Sequence, residues 1–158
     1  MENCFFCKEA LERGIVITET DNFYARLSDV PLNPGSFHII TKEHKESFFE
    51  LDSKEWSELR DIIEKGIEEI KSMDLERKYQ KLRDDVPKQK FVNFIEDALE
   101  SEFLDSDPDG YNLGINEGRA AGRSIDHFHL HVIPRFEGDV DEKRYGIRNI
   151  FPEKADYE

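Results

Sequence analysis

Three of the five histidines in this sequence occupy alternate positions: His127, His129 and His131. Side chains two residues apart lie on the same face of a β-strand, about 6.6 Å apart at roughly 3.3 Å per residue. Imidazoles at this spacing can contact different atoms of one bound group. The apolar residues between and after them then face a core: Phe128, Leu130 and Val132. The segment therefore predicts a functional site on one face of a strand.

Imidazoles in a row are compatible with three interpretations. On a solvated sheet face they are ordinary strand residues. In a metal site, a His-x-His pair supplies two zinc ligands and a third histidine completes the set. In nucleophilic catalysis, a neutral imidazole attacks phosphorus while its neighbours donate hydrogen bonds to the phosphate oxygens. The histidines alone leave these alternatives open.

A glycine-containing loop directly precedes the histidines. Gly118 and Gly122 permit positive φ angles and close backbone approach, so several N–H groups can converge on an anion. Three side chains of the same loop add donors: Asn116, Arg123 and Ser124. Together with His131, the loop predicts a phosphate site built from Gly122 and these three residues.

The sequence has two cysteines, Cys4 and Cys7, separated by two residues. In a reducing compartment this spacing is half of a metal site or a redox pair, and two cysteines exclude a disulfide framework. The alternative is two small apolar residues near a helix start. A zinc site needs two histidines in addition. We expect no redox cofactor.

Hydrophobic periodicity and turn signals predict the elements that position these residues. A short helix is expected at 8–14 and strands at 15–18, 23–27, 37–40, 111–116 and 125–136. A capping box at Asp52–Glu55 predicts an amphipathic helix over about 53–72 that covers the sheet. Its apolar stripe is Trp56, Leu59, Ile63, Ile67 and Ile70. The result is an α+β fold with an antiparallel sheet of about five strands.

Residues 74–108 are strongly charged, and we interpret them as a helical insertion within a single domain spanning 1–158. Apolar residues recur at helical spacing in the second half of this segment. We expect three of them to dock on the domain or across a dimer interface: Phe91, Phe94 and Ile95.

Composition excludes several classes of partner. The 158 residues carry 22 Lys and Arg against 36 Asp and Glu, a formal net charge of −14. This charge repels nucleic-acid backbones and anionic lipid surfaces, so an anionic substrate must be held by local donors. No apolar stretch approaches the roughly 18 residues of a membrane span. We expect a cytoplasmic protein without nucleic-acid or membrane partners.

The segment His127–Ile133 matches, without a mismatch, the signature of the histidine triad (HIT) family, His-φ-His-φ-His-φ-φ with φ apolar. Further matches lie at 34–35, 47–51, 116–118, 122–124, 133–136 and 152–157. They resemble a bacterial-type branch, similar to the fragile histidine triad and dinucleoside polyphosphate hydrolase members. Only about residues 74–108 fall outside the resemblance, which implies a HIT-like fold.

The resemblance implies a nucleotidyl hydrolase or transferase. In that family the middle histidine, here His129, attacks the α-phosphate of a nucleotide conjugate, and water then releases a nucleoside monophosphate. By position, His131 contacts phosphate oxygens, His127 orients the nucleophile, and Ser124 and Asn116 donate hydrogen bonds near the phosphate and leaving group. The expected substrate is a purine nucleoside phosphoramidate or dinucleoside polyphosphate, and the expected assembly is a homodimer.

The resemblance also implies one structural zinc ion per chain. The matching ligand positions are Cys4, Cys7, His44 and His127. Such a Cys2His2 tetrahedron would tie the N-terminus, a strand–helix junction and the histidine strand together.

Two residues depart from the family pattern near the phosphate. Arg123 replaces a glutamine and either grips an extra phosphate or pairs with an acidic neighbour. Ser36 stands where a histidine is common. His38, two residues later on the same strand face, either substitutes for that histidine or marks a lost function.

Four residues are predicted nucleoside contacts: Phe6, Leu27, Ser28 and Asp29. The family's ribose contact aligns with Ser28, whereas Asp29 is one position away. Two other functions remain open, a zinc-dependent hydrolase with the triad as metal ligands and a nucleotide-binding module without turnover.

Overall fold

A computed structural model describes residues 4–8, 15–85, 89–140 and 146–150. Five strands form one sheet in the order β1-β2-β3-β5-β4, with every neighbouring pair antiparallel. The strands are β1 (Val16–Glu19), β2 (Phe23–Leu27), β3 (Phe37–Thr41), β4 (Gly110–Gly114) and β5 (His129–Arg135). The expected α+β fold with a five-stranded antiparallel sheet is confirmed.

Three α-helices lie between β3 and β4: α1 (Ser53–Lys71), α2 (Leu75–Asp85) and α3 (Gln89–Glu100). Short 3-10 turns occur at Phe48–Glu50, Arg119–Ala121 and Ile147–Ile150. The helix predicted at 8–14 lies mostly outside the described residues. Among the described helices, none combines the length and apolarity that a membrane crossing requires.

The first helix begins as the sequence predicts. The Asp52 side chain accepts from the Glu55 N–H, and the Glu55 carboxylate accepts from the Asp52 N–H, which satisfies two free donors at the helix start. The helix contacts β1, β2 and β3. Its buried face runs through Leu59, Ile62 and Ile70.

Trp56, expected in the apolar stripe, is 44% exposed. Its ring contacts Phe48 outside the sheet, with centroids 6.1 Å apart. The stripe is centred instead on Ile62 and Gly66. The helix approaches the sheet so closely at Gly66 that an added Cβ would lie 2.8 Å from the Phe37 ring. The expectation for Trp56 is therefore wrong, because the line of closest approach to the sheet is rotated away from it.

The two faces of the sheet have different roles. One face packs against α1 and the main core, which includes Ala25, Leu27, Ile39, Leu130 and Val132. The opposite face carries the polar side chains described below, together with the segment 4–8. The buried Tyr24 hydroxyl donates to the Phe6 carbonyl at 2.8 Å, which anchors that segment to the sheet.

Helices α2 and α3 pack into the main core. Tyr79 and Ile95 are fully buried, and the Tyr79 hydroxyl accepts a hydrogen bond from the Gly35 N–H at 2.9 Å. Of the three residues expected to dock, Ile95 is buried, and Phe91 and Phe94 are half-buried. The segment that looks most like an excursion in sequence thus contributes to the core.

Candidate active site and metal centre

Strand β5 displays the predicted alternation from its first residue. Leu130 and Val132 lie in the core, whereas His129 and His131 lie on the opposite face. The strand begins at His129 rather than at 125, so His127 precedes it. The predicted start of the strand is therefore wrong, but the predicted side-chain direction holds at His127, because Phe128 lies in the main core and the His127 ring contacts Phe6 on the same side as His129.

The fully buried His127 ring faces the cysteines. Its Nδ1 lies 3.3 Å from the Cys4 Sγ and 3.4 Å from the Cys7 Sγ. Its Nε2 lies 2.8 Å from the Thr41 carbonyl oxygen, an acceptor only, so the proton is on Nε2 and donates to it. The unprotonated Nδ1 therefore points at the cysteines, which is the arrangement of a histidine that binds a metal.

Four side chains form a compact cluster of metal-binding atoms, hereafter the metal cluster: Cys4, Cys7, His44 and His127. Their ligand atoms all lie within 4.8 Å of one another, and the His44 Nδ1 is 3.2 Å from the Cys7 Sγ. Burial and the neighbouring Cys4 raise the pKa of the Cys7 thiol, a cost that a bound cation would offset. Two thiolates and two imidazoles are the donor set that tetrahedral zinc prefers, so the residues could hold it.

His129 is held by a backbone group. Its Nδ1 lies 2.8 Å from the carbonyl oxygen of His127, and only an Nδ1–H can make that contact. In the neutral ring Nε2 then carries a lone pair. Burial, assisted by the charge of Arg123, lowers the pKa of His129 and favours this neutral form. The arrangement can deliver an imidazole nucleophile from Nε2.

His131 contacts a histidine that lies outside the triad. Its Nδ1 is 3.0 Å from the Nε2 of His38, its cross-strand partner on β3. Burial and the neighbouring His129 lower the pKa of His131 to about 4, and burial with the adjacent imidazoles lowers the pKa of His38 well below its ordinary value. Both rings are therefore neutral near pH 7. Ser36 is buried and donates to the Asn33 carbonyl instead.

A cavity of about 670 Å³ lies on this face of the sheet. Its wall includes His38, His129, His131 and Ser124. Helices α2 and α3 contribute Leu82, Asp85 and Phe91 to the same wall. The cavity is large enough for a nucleotide-sized ligand and places three imidazoles against it.

Three of the four predicted nucleoside contacts line this cavity: Phe6, Ser28 and Asp29. Leu27 does not, because it faces the opposite side of β2 and is fully buried in the main core. The prediction for Leu27 is wrong by one strand position, the shift that reverses the side-chain direction.

Arg26 is a cavity residue that sequence reasoning missed. It is 2% exposed, and its Nη2 lies 2.7 Å from the Asp29 carboxylate. The guanidinium stands 5.7 Å from the centre of the Phe5 ring. Its Nε has no partner among the described residues. A lone arginine in a short strand offers no signal by type or spacing, and only the alternation with Leu27 suggests its direction.

The loop before β5 contributes less to the cavity wall than expected. Ser124 lines it, whereas Asn116, Gly122 and Arg123 do not. Gly122 has a φ of +94°, and Arg123 donates to the Glu46 carbonyl at 2.7 Å and lies near Glu117. Of the two roles left open for Arg123, the structure shows pairing with acidic neighbours.

Comparisons with known proteins agree with this geometry. Residues 12–138 match the HIT domain family. An uncharacterized HIT-like protein from Methanocaldococcus jannaschii is 27% identical over 150 residues, 93% of this chain and 91% of that protein. The AP-4-A phosphorylase of Mycobacterium tuberculosis is 28% identical over 131 residues, 82% of this chain but only 51% of that enzyme.

A crystal structure shares the fold. The Zn-bound histidine triad family protein from Mycobacterium smegmatis superposes with a TM-score of 0.55 at 24% identity, covering 87% of this chain and 78% of that one. The domain match, the triad and the five-stranded sheet agree, and this chain is a member of the HIT family.

Proposed function

We propose that this HIT protein hydrolyses a nucleotide conjugate at its α-phosphate through a covalent intermediate on His129. The observation that carries the proposal is the hydrogen bond from the His129 Nδ1–H to the His127 carbonyl at 2.8 Å, which leaves Nε2 free to attack. The related AP-4-A phosphorylase processes a dinucleoside polyphosphate by its name, which supports this substrate class.

In the first step, the Nε2 lone pair forms a bond to the α-phosphorus. The bond from phosphorus to the leaving oxygen or nitrogen breaks, and the leaving group departs with its electron pair and takes up a proton from solvent water. His131 and Ser124, both in the cavity wall, donate hydrogen bonds to the phosphate and leaving group. In the second step, water attacks phosphorus and releases a proton to solvent, the N–P bond breaks, and the Nε2 lone pair is restored as the nucleoside monophosphate leaves.

The nucleoside is proposed to occupy the end of the cavity formed by Phe6, Ser28 and Asp29. The Phe6 ring lies 5.1 Å from the His129 ring, so an aromatic surface adjoins the nucleophile. A purine fits such a surface by stacking. The homodimer remains a prediction, which light scattering tests directly.

A structural zinc ion is proposed at the metal cluster. When bound, it would cross-link the segment 4–8, His44 in the chain after β3, and His127, two residues before the start of β5. The alternative of a zinc hydrolase with all three triad histidines as ligands is not favoured, because only His127 of the triad belongs to the cluster. Elemental analysis of protein purified without chelator should find one zinc per chain.

The test is nucleotide release from a panel of adenylyl and guanylyl phosphoramidates and dinucleoside polyphosphates. Wild type should turn over at least one member of the panel, and a folded His129→Ala variant should not. The preferred member identifies the leaving group. Tight nucleotide binding by wild type with negligible rates across the panel would overturn the proposal and favour a binding module.

A further inference from the structure

Three polar side chains form a row across three strands on the cavity face. Arg26 of β2 is the register partner of His38 of β3, and His38 is the register partner of His131 of β5. All three line the cavity. Side chains of directly paired residues in antiparallel strands lie close together, so each member of the row acts on the next.

The contact between His38 and His131 constrains both rings. At 3.0 Å, one nitrogen must carry a proton and the other a lone pair. Both rings are neutral, so each holds a single proton. The outer nitrogens, Nδ1 of His38 and Nε2 of His131, are buried and have no partner in the described part of the chain.

Two arrangements satisfy these constraints. In the first, the His38 Nε2–H donates to the Nδ1 of His131, and His131, which lines the cavity, carries its own proton on Nε2. In the second, the His131 Nδ1–H donates to His38, and His131 presents a lone pair at Nε2. Only the first arrangement can donate a hydrogen bond from His131 to an anionic phosphate oxygen.

Arg26 favours the first arrangement. Its guanidinium lies on the β2 side of His38, and its Nε is a buried donor without a partner. In the first arrangement, the His38 proton is on Nε2, which faces His131, and Nδ1 carries a lone pair. Each arrangement leaves two buried donors without an acceptor among the described residues, so the charge of Arg26 separates them. That positive charge acts on His38, and it favours a lone pair at the His38 Nδ1 over the N–H that the second arrangement would place there.

We propose that His38 is a positioning residue that holds His131 in the tautomer protonated at Nε2, ready to donate to the substrate phosphate. The role of His131 as a donor to the substrate rests on the proposed function. The tautomer of His131 can be measured independently of that function. Ser36 stands where a histidine is common in the family. In this chain, the proposed positioning role belongs to His38, two residues later on β3.

The first measurement is a long-range proton–nitrogen NMR spectrum of the zinc-loaded protein labelled with nitrogen-15 in the histidine rings. In wild type near pH 7, His131 should show a protonated Nε2 and an unprotonated Nδ1, and so should His38. A His131 protonated at Nδ1 would overturn the proposal, whatever the activity of the protein.

The second measurement compares two variants of His38. His38→Met removes the donor while keeping an apolar chain of similar length, and His131 should then populate both tautomers with kcat lowered about tenfold. His38→Gln places an amide N–H near the position of Nε2 and should restore most of the single tautomer and of kcat. KM should change less than kcat, because the contact acts through the phosphate donor.

The outcomes separate the two proposals. Failure of every panel substrate would contradict the proposed function while the spectra still report the tautomer. If His38→Met kept the wild-type spectrum of His131 and the wild-type kcat, with melting temperature and zinc content also unchanged, the positioning role would be wrong.

Discussion

Two groups of imidazoles adjoin each other on one face of the sheet and differ in where their nitrogens point. In the metal cluster, the His44 and His127 nitrogens converge with two sulfurs on one point. In the cavity group, His38 and His131 hydrogen-bond to each other, and His129 donates to the carbonyl of His127, so their nitrogens do not converge. Convergence suits a cation, whereas separated nitrogens suit an anionic ligand.

The two groups are joined through His127. Its ring belongs to the metal cluster, and its carbonyl accepts the hydrogen bond that orients His129. The alternating triad is thus divided between two groups of contacts, to which we assign two proposed tasks. A metal ion that fixes the His127 ring is therefore expected to fix the orientation of His129 as well, through the carbonyl group of His127.

The largest effect is expected from comparing His129→Ala with His127→Ala. The first should lower turnover by at least about a thousandfold while zinc content and melting temperature stay near wild type, because it removes only the nucleophile. The second should lose zinc and turnover together. Turnover assays, elemental analysis and thermal unfolding of both variants test this prediction. Loss of zinc in His129→Ala would contradict the assignment of His127 and His129 to different tasks.

An intermediate effect is expected for Cys7→Ser, which removes one of the two sulfur ligands. It should abolish stoichiometric zinc and lower the melting temperature by roughly 10 °C, since a lost cross-link of about 3 kcal/mol has that effect in a domain of this size. Thermal unfolding with and without chelator measures it.

The matched control for Cys7→Ser is Glu43→Gln, an exposed neighbour of His44 that is not a ligand. It should keep its zinc and its melting temperature. A Cys7→Ser variant that retained both would contradict the metal site.

The smallest effect is expected from pH. The neutral form of His129 is the reactive one, and its lowered pKa keeps the ring neutral as the pH falls below the ordinary value. Between pH 7.5 and 6.5, kcat/KM should fall less than it would for a nucleophile with the ordinary histidine pKa, which is only about half neutral at pH 6.5. Zinc content measured at each pH separates this behaviour from metal loss.

Local signals explain how much of the fold the sequence predicts. Strand alternation identified β2, β3 and β5, and the capping box identified the start of α1 at Ser53. Helix α2 lies within the predicted helical insertion, but its bounds were not predicted, because its buried residues, Tyr79 and Leu82, are isolated among charges. Its stability comes from contacts with distant residues, which local patterns do not contain.

The candidate site also contains some residues that the sequence predicts and others that depend on contacts between distant segments. The four members of the metal cluster were predicted from their residue types and their match to a family, and the structure brings them together. Arg26 and the His38 contact depend on cross-strand register, which one strand cannot reveal. The start of β5 at His129 rather than at residue 125 depends on where ladder pairing begins, which is also a property of two strands.

The central claim is that His129 forms a bond to phosphorus, and trapping that bond tests it most directly. Wild type mixed with its preferred panel substrate, radiolabelled in the nucleoside, is quenched in base within the first turnover and mapped by peptide mass. The account predicts one nucleoside monophosphate on His129 in an adduct that is stable in base and lost in acid. Turnover without any adduct, or an adduct on another residue, would contradict it.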